Sequence, residues 1–441
     1  MNTEQPFAWQ FLGEQPTHDQ LLQAMVDNTC QWVIRCTNSD TLGEVQQEGG
    51  VTWVYAPGPE GDAAILFPRL TLQEASRQLD VVMHYFRQHR PERDMLCWSL
   101  DPTEPADLEV RLLARGFEWN WQPHWMWCAL QNIDAAIERA PGLHIEIVEQ
   151  VPLWDVEDLP YYSPSTAAQL HRTTQQEPRL VWHFAAWLNG HVVGQSRLNL
   201  TTGELGVAGI FDVSVVPEAR NKGIGKALTL AACQLARSLG CRHALLNASS
   251  MGEPVYRKLG FTSLGHGKTW LLRRSVLASP PEPQQIALVE ALGRGDIARL
   301  DELAPELEPT LFSTPLPSGL TPLQIVVGLH QPHSAEWLVA RGVELDVLTA
   351  WDLGWHERAQ HILTGDPQQV NQRQGRRQGT PLHSAVERND FELVALLLSA
   401  NPDISLKDGD FQATALEWAR FLNRTEMIMV LEHYQFQHMS G

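Results

Sequence analysis

Apolar and polar positions in the middle of the chain predict a mixed sheet flanked by helices. Alternation with a period of two predicts four strands, at His144–Glu149, Arg179–Leu188, His191–Leu200 and Gly206–Val216. A period near 3.6 predicts a helix from Lys222 to Leu239, which Gly240 would end as a C-cap. The remaining elements are a helical, loop-rich span, a strand, a short helix and two closing strands, at Pro152–Gln176, His243–Asn247, Glu253–Leu259 and up to Leu272. The middle segment is therefore an α/β unit.

The last third of the chain shows a repeated pattern of helices only. The stretch "GTPLHSAVERNDFELVALLLSANPDISLKDG" (Gly379–Gly409) has a turn, a helix opened by Thr380-Pro381 and a second helix with an apolar face. Proline is tolerated there because its missing N–H would be unpaired in the first helical turn. Related pieces begin at Gly319 and Ala413. The wording T-P-L-H-x-A resembles ankyrin repeats, which implies an all-α solenoid of four to five copies, with Gln324 and Glu417 in place of His383 in two of them.

Composition and charge divide the chain further. The Pro-rich run "SVLASPPEPQQ" cannot continue a helix or a central strand, so it predicts a linker. We expect an N-terminal domain at 1–142, a second domain at 143–275, a linker at 276–285 and the repeats at 286–441. Residues 1–142, 143–275 and 276–441 carry net charges of −11, +3 and −11, so the middle segment alone is basic.

These properties exclude several classes of protein. No apolar run approaches the roughly 20 residues that span a bilayer, and the N-terminus lacks the features of a secretory signal, so we expect a cytoplasmic protein without a membrane partner. Two acidic flanks argue against nucleic acid as a partner, because phosphate binding needs clustered cations. The six cysteines show no CxxC spacing, which argues against a disulfide framework and against a metal site.

One strand-to-helix turn, "SVVPEARNKGIGKAL" (Ser214–Leu228), has the composition of a phosphate-binding loop. It is not a Walker A loop, because Arg220 replaces the first glycine and Ala227 replaces the hydroxyl residue. It is not a dinucleotide fingerprint either, because Leu228 stands at the third glycine. The remaining pattern, R-x-x-G-x-G, resembles the acyl-coenzyme A loop of the GNAT acetyltransferase superfamily.

The physical chemistry of this turn suits a pyrophosphate. Backbone N–H groups at a helix N-terminus are unpaired and carry partial positive charge. Gly223 and Gly225 lack the Cβ atoms that would hold a phosphate away. Arg220, Lys222 and Lys226 add cations. By itself the turn is equally consistent with a tight connection that has a solvated basic face.

Two neighbouring stretches extend the resemblance over Leu143–Leu272. "FDVSVVPEAR" has the strand-then-proline entry of the superfamily, and "LLNASSMGEPVYRKLGFTSLG" has its closing helix and strand. The resemblance implies a mixed-sheet α/β GNAT fold and acetyl-coenzyme A as the cofactor. It implies that the cofactor contacts Val213, Val215, Arg220, Asn221, Lys222, Gly223, Ile224, Gly225, Lys226, Asn247, Ser249 and Tyr256.

Acetyl transfer to an amine needs a base, an oxyanion donor and an acid for the thiolate. The resemblance assigns the oxyanion donor to the N–H of Val215 and the acid to Tyr256. The base is open: Asp212 resembles the acidic residue that some members have, Glu204 and Glu253 are rivals, and a water chain would also serve. Tyr256 could instead be an ordinary packing residue, and Asp212 an ordinary polar strand residue.

The N-terminal segment contains an echo of the middle one. "LLARGFE" repeats the order of "YRKLGFT", a short helix followed by Gly-Phe and a strand, and so resembles a degenerate GNAT-like half without a counterpart of Arg220–Gly225. Such a half would shape the substrate cleft. Trp119, Trp121, Trp125 and Trp127 would share one face of a strand, as core packing or as a wall for a cationic substrate, and Tyr161 and Tyr162 could add to that wall.

These observations favour an acetyl-coenzyme A-dependent N-acetyltransferase acting on a small amine, plausibly an antibiotic or a toxic metabolite, in detoxification or self-resistance. Two alternatives remain. The ankyrin repeats could recruit a protein whose amine is acetylated, or the chain could be an interaction protein with a relic transferase domain. The repeats could also mediate self-association.

Overall fold

The computed structural model describes residues 9–58, 61–133, 140–150, 153–374 and 377–439. Contacts divide the chain into two compact units, one ending at Glu282 and the other starting at Pro283. Pro152, at which the expected loop-rich span begins, lies outside the described residues. Among the described residues, no helix is both long and apolar enough to cross a bilayer.

The first unit is a mixed parallel and antiparallel sheet of twelve strands, with helices packed on it. The strands are β1 (Glu44–Glu48), β2 (Val51–Tyr55), β3 (Ala63–Leu66), β4 (Met95–Leu100), β5 (Glu118–Trp119), β6 (His124–Ala129), β7 (Leu143–Val148), β8 (Val181–Leu188), β9 (His191–Leu200), β10 (Ala208–Val215), β11 (His243–Ala248) and β12 (Thr262–Leu272). The helices are α1 (His18–Asn38), α2 (Ala75–Gln88), α3 (Leu108–Ala114), α4 (Pro164–Thr174), α5 (Ile224–Ser238), α6 (Glu253–Lys258) and α7 (Arg274–Ala278).

The order of the strands is nearly symmetric about its centre. It runs β1-β2-β3-β4-β12-β6-β11-β10-β9-β8-β7, with β5 paired to β12. In each half a short helix and a Gly-Phe turn lead into a strand that pairs with the other half: Glu118 pairs with Leu271, and Thr262 pairs with Trp127. The two halves thus exchange their last strands. The N-terminal half is a second copy of the same unit, which confirms the interpretation of "LLARGFE".

Helix α1 of the N-terminal half packs on strands of the other half. The Asn28 side chain donates hydrogen bonds to the carbonyls of Asn199 (3.1 Å) and Val207 (3.2 Å). A Cβ atom at Gly209 would lie 1.9 Å from Asn28 Oδ1, so only glycine fits at that position of β10. Buried polar groups need such partners, and here both halves supply them.

Most of the predicted elements are present, with three differences. The two strands expected before Leu272 are one strand, β12, whose pairing shifts register between Ser263 and Gly265. The helix expected from Lys222 begins at Ile224. Val276 and Leu277, expected at the start of the linker, are buried in α7. The boundary expected at 142/143 stays a prediction, because one sheet runs through both halves.

The second unit consists of helices that follow one another as short antiparallel pairs. They are α8 (Pro283–Arg294), α9 (Ile297–Leu303), α10 (Pro322–Gly328), α11 (Pro332–Val339), α12 (Val347–Asp352), α13 (His356–Gly365), α14 (Pro381–Arg388), α15 (Phe391–Ser399), α16 (Ala415–Phe421) and α17 (Thr425–Met439). Two clusters of buried apolar side chains form their core. The predicted all-α solenoid is confirmed.

Candidate functional site

Strands β10 and β11 pair only at their beginnings. Ala208–Ile210 pairs in parallel with Ala244–Leu246, and from there β10 stays with β9 while β11 stays with β6. The space between Phe211–Val215 and the end of β11 is called the β10–β11 gap below. The Val216 amide donates to the Val193 carbonyl (3.0 Å), so the alternation of a strand turns the backbone N–H of Val215 towards the gap.

A bulge in β10 produces this divergence. The register between β10 and β9 shifts from Phe211 to Ser214, and Asp212 has a φ of 51°. A left-handed residue in an antiparallel pair adds one unpaired position and bends the strand. Phe67, the residue after β3, also has a positive φ, 41°, but its amide donates to the Trp98 carbonyl of β4 (2.8 Å). Strands β3 and β4 are therefore still hydrogen-bonded at the position where β10 and β11 have separated.

The connection from β10 to α5 holds the glycines and cations of the phosphate-type loop. Asn221 and Gly223 both adopt left-handed backbone conformations, with φ of 61° and 75°. Lys222 Nζ donates to the Glu218 carbonyl (3.1 Å). In the described part of the chain, no side chain caps the N-terminus of α5, a helix of fifteen residues, so its first N–H groups lack a side-chain acceptor there.

The space in front of these glycines is open. A Cβ atom at Gly223 would meet nothing within 4 Å. One at Gly225 would meet only Val213 Cγ1 at 3.9 Å and Val215 Cγ2 at 4.0 Å, which are ordinary contacts. Packing therefore does not explain glycine at 225. The missing side chain leaves room for a ligand over the edge of β10.

The N-terminal half has no equivalent of this loop. Helix α2 begins eight residues after Phe67, and its N-cap residue is Glu74, whose amide donates to Thr71 Oγ1 at 3.3 Å. A carboxylate at a helix start repels a phosphate, and residues 67–74 contain no glycine. This supports the expectation that the N-terminal half does not hold the cofactor.

Tyr256 lies on α6, close to the covering loop (residues 153–163). Its side chain is buried, with its ring 6.1 Å from that of Phe261. A Cβ atom at Gly252 would lie 2.8 Å from Tyr256 Cε2, so glycine allows the ring its close approach. Burial, with a smaller contribution from Tyr161, raises the pKa of Tyr256 to about 12.

The candidate bases differ in their surroundings. Asp212 Oδ2 lies 2.5 Å from Arg197 Nη1, in a nearly buried ion pair. Glu253 pairs with Arg257 at 2.7 Å and lies 3.5 Å from His124 Nδ1. Glu204 lies in the turn between β9 and β10, at the far end of β10 from the gap. Asp212 is therefore the candidate that lies on the bulge itself.

Asn247 and Ser249 lie where β11 leaves the gap. Asn247 follows the last residue of β11 that pairs with β10, and its Oδ1 is buried without a hydrogen-bond partner in the described part of the chain. Ser249 is occupied differently, because its Oγ and its carbonyl both accept from the Gly252 amide and so stabilise the turn into α6.

Side chains of β9 and β10 hold the covering loop in place. Gln195 Nε2 and Ser214 Oγ each donate to the Pro160 carbonyl at 2.9 Å. Arg197 Nη2 donates to the Tyr161 carbonyl at 2.9 Å. The loop thus lies against β9 and against β10, which borders the gap.

Next to this loop lies a cleft of about 510 Å³. Its lining comes from both halves and includes Trp32, Trp98, Tyr161, Tyr162, Arg197 and Asp212. Tyr161, Tyr162 and Asp212 are among the residues for which the sequence predicted a role at a substrate site, and it predicted no such role for Trp32, Trp98 and Arg197. A charged residue inside a strand that otherwise contains no Asp, Glu, Lys or Arg was a signal for Arg197. No pattern in the sequence marks Trp32 or Trp98.

The expectation of one tryptophan wall is wrong. Trp125 is 1% exposed and packs on Phe67 in the core, so it cannot line an open site. The Trp119 indole N–H donates to Glu109 (2.7 Å), and Trp121 packs edge-on against Trp98. The residues between β5 and β6 are not in a strand, so the alternation of side-chain directions is interrupted there. The four tryptophan side chains therefore do not share one face.

Comparison with known proteins identifies two segments. Residues 145–261 match the acetyltransferase (GNAT) family, and residues 378–408 match the ankyrin repeat. The glucosamine 6-phosphate N-acetyltransferase of Trypanosoma brucei brucei is 41% identical over 76 residues, which is 16% of this chain and 52% of that protein. The chain thus spans about half the length of this curated relative.

Two solved structures align with a longer span of the chain. A GCN5-related N-acetyltransferase from Kribbella flavida is 14% identical, covers 58% of this chain and 97% of its own, and has a TM-score of 0.43. A tandem GNAT protein from the clavulanic acid biosynthesis pathway is 14% identical, with coverages of 58% and 95% and a TM-score of 0.39.

Proposed function

We propose that this chain, which carries a GNAT acetyltransferase domain at 145–261 and an ankyrin repeat at 378–408, transfers the acetyl group of acetyl-coenzyme A to the amine of a small molecule. The observation that carries the proposal is the uncapped N-terminus of α5 beside the β10–β11 gap, with open space at Gly223 and Gly225. An unpaired helix start attracts a diphosphate, and a splayed strand edge suits an extended amide chain.

The residues around the gap fit the cofactor. The N–H groups of 221–226 would bind the pyrophosphate, with Arg220, Lys222 and Lys226 adding positive charge. The backbone edges of Val213 and Val215 would bind the pantetheine amides. The unpaired Asn247 Oδ1 would accept one of their N–H groups, since a buried polar atom costs free energy until it is paired. Acetyl-coenzyme A, when bound, supplies the activated acetyl group.

The chemistry asked of the protein is modest. The Val215 N–H, which faces the gap, would donate to the carbonyl oxygen where negative charge develops. Tyr256 would donate a hydrogen bond to the departing sulfur. Because the pKa of Tyr256 is about 12, above that of a thiol, it would stabilise the thiolate by hydrogen bonding more than by full proton transfer. Asp212 is the proposed acceptor of the amine proton.

The acceptor is expected in the cleft under the covering loop, because Asp212 both lines the cleft and lies on the bulge that opens the gap. An antibiotic or a toxic metabolite would suit a cleft of this size, and the protein would then act in detoxification or resistance. The name of the trypanosomal relative suggests an amino sugar phosphate instead.

A second function remains for the ankyrin unit. Its last pairs expose Phe411 and Phe421, at 66% and 84%, beside a cavity of about 380 Å³. Exposed aromatic side chains favour a protein partner, which could be a target of acetylation. Release of coenzyme A with amines alone supports the first function. Release only with a partner protein supports the second, and binding without any release would support a relic domain.

Thermal denaturation with and without acetyl-coenzyme A tests the cofactor site. At 100 times its dissociation constant, the ligand should stabilise the wild type by about 2.7 kcal/mol. Gly225→Glu, which places a carboxylate where the phosphates would lie, should abolish this gain. Gln234→Glu adds the same charge further along α5 and should keep it. An unchanged melting temperature of the wild type at millimolar acetyl-coenzyme A would refute the proposal.

A further inference from the structure

The cleft beside the covering loop is built by both halves of the first unit. Trp32 of α1 and Trp98 of β4 come from the N-terminal half, and Tyr161 and Tyr162 come from the covering loop. A volume of about 510 Å³ is within the range of small-molecule sites. Two indoles and two phenols give it walls suited to a flat apolar body.

Arg197 does not make the cleft positive. It is 6% exposed, and its guanidinium pairs with Asp212 Oδ2 and lies 5.8 Å from the centre of the Trp32 ring. The charges of Arg197 and Asp212 therefore cancel each other within the wall. Arg197 Nε is buried without a hydrogen-bond partner in the described part of the chain, so one donor remains for an oxygen of a ligand.

The other charges in the lining are mainly acidic. The N-terminal half contributes Asp62, which is half-buried, and Asp94, which is exposed, against the single cation Arg93. Burial raises the pKa of the Cys36 thiol, Arg197 lowers it, and Asp62 and Asp212 raise it further, so charges of both halves surround one thiol in the wall. An anion such as a sugar phosphate would meet this surplus of carboxylates, whereas a cation would be attracted by it.

We propose that the acceptor is a cationic amine with a flat apolar body, held between the aromatic walls, and that Asp62 and Asp94 of the N-terminal half select its positive charge. The acetylation of this acceptor rests on the proposed function, whereas its binding in the cleft does not. The degenerate half, which has lost the phosphate loop, thus determines specificity.

Binding of two matched probes to the full chain tests the proposal without acetyl-coenzyme A. Tryptamine and indole-3-acetate share a ring and carry opposite charges, and calorimetric titration or quenching of tryptophan fluorescence would measure their affinities. Tryptamine should bind about tenfold more tightly, because the two carboxylates attract its ammonium group and repel the carboxylate of indole-3-acetate. Glucosamine 6-phosphate should bind no better than indole-3-acetate.

Charge variants locate the effect. Asp62→Asn with Asp94→Asn keeps the shapes, and the new amide oxygen at 94 can still accept from the Arg274 N–H (3.0 Å). The double variant should weaken tryptamine about tenfold and leave indole-3-acetate unchanged or tighter. Glu48→Gln, an exposed charge on β1, is the control and should change neither.

Three results would overturn the proposal: equal or tighter binding of either anion, no binding of tryptamine at millimolar concentration, or an unchanged tryptamine affinity in the double variant. Its failure is separable from failure of the enzymatic function. Loss of acetyl-coenzyme A binding would refute the reaction while leaving these affinities as they are. Wrong probe preferences with intact cofactor binding would refute only the substrate class.

Discussion

Tyr256, at the gap, combines a packing role for its ring with a proposed chemical role for its hydroxyl group. The Tyr256 ring lies so close to the backbone at residue 252 that only glycine fits there. Burial of the side chain raises the pKa of the phenol to about 12. Its ring would hold its place without the hydroxyl, because the ring makes the packing contacts. The hydroxyl is therefore free to serve the reaction.

Tyr256→Phe should separate the two roles. Because only the hydroxyl is lost, kcat for acetyl transfer should fall about tenfold or more. The dissociation constant of acetyl-coenzyme A should stay within about twofold, since the proposed pyrophosphate contacts are elsewhere. Tyr434→Phe, in the second unit, is the control. Wild-type kcat in Tyr256→Phe would remove the tyrosine from the mechanism.

His183 is a second residue whose environment has a measurable consequence. It is fully buried on β8, Nε2 lies 3.1 Å from Gln195 Oε1, and Nδ1 has no partner in the described part of the chain. Burial, with a contribution from Arg197, lowers the pKa of His183 to about 3. The folded state therefore keeps the imidazole neutral, and the unfolded state binds a proton below about pH 6.5.

The free energy of unfolding should fall as the pH drops from about 6.5 towards 3, by up to about 1.4 kcal/mol per pH unit from this residue. Its contribution is fully present above pH 6.5. Denaturant titrations at several pH values would show a shallower slope for His183→Gln than for the wild type. His191→Gln, exposed on the next strand, should leave the slope unchanged. Equal slopes in all three proteins would contradict the assignment.

The observed helices and strands agree with the predicted ones where neighbouring residues in the sequence determine their bounds. The strand at His191–Leu200 has the predicted bounds, and the helix at 253 begins where Glu253 and Pro254 predict it. The ankyrin helices show why degenerate copies still fold. Gln324 and Glu417 replace His383, yet each accepts from the amide of the threonine three residues earlier, at 3.0 Å and 2.7 Å. The position needs an acceptor more than it needs histidine.

The observed strands differ from the predicted ones where pairing with a distant strand determines the structure. The four tryptophans alternate in the sequence, but Asn120–Pro123 interrupts the strand, and each indole finds a separate neighbour. Strand β12 continues without a break because its first part pairs with β6 and its second part with β4. Periodicity describes one chain segment, so it contains no information on a partner strand that lies more than a hundred residues away.

At the scale of the molecule, two units have separate cores and one of them holds the candidate site. Calorimetry of the full chain should show two unfolding transitions. Acetyl-coenzyme A should raise the midpoint of one transition by several degrees and leave the other unchanged, since a ligand stabilises only the unit that binds it. A single transition that shifts as a whole would contradict this expectation.

The sequence by itself determined the phosphate-type loop, the order of elements in the middle segment and the solenoid, because glycine positions, caps and helical periods act within a few residues. Only the tertiary structure determined which residues line the cleft. Trp32, Asp62 and Trp98 meet the covering loop because the two halves exchange their last strands and α1 packs on β9 and β10. The residues brought together in this way lie more than sixty positions apart in the sequence. Their packing is stabilised by the complementary surface of the other half, and no local sequence pattern contains information on that surface.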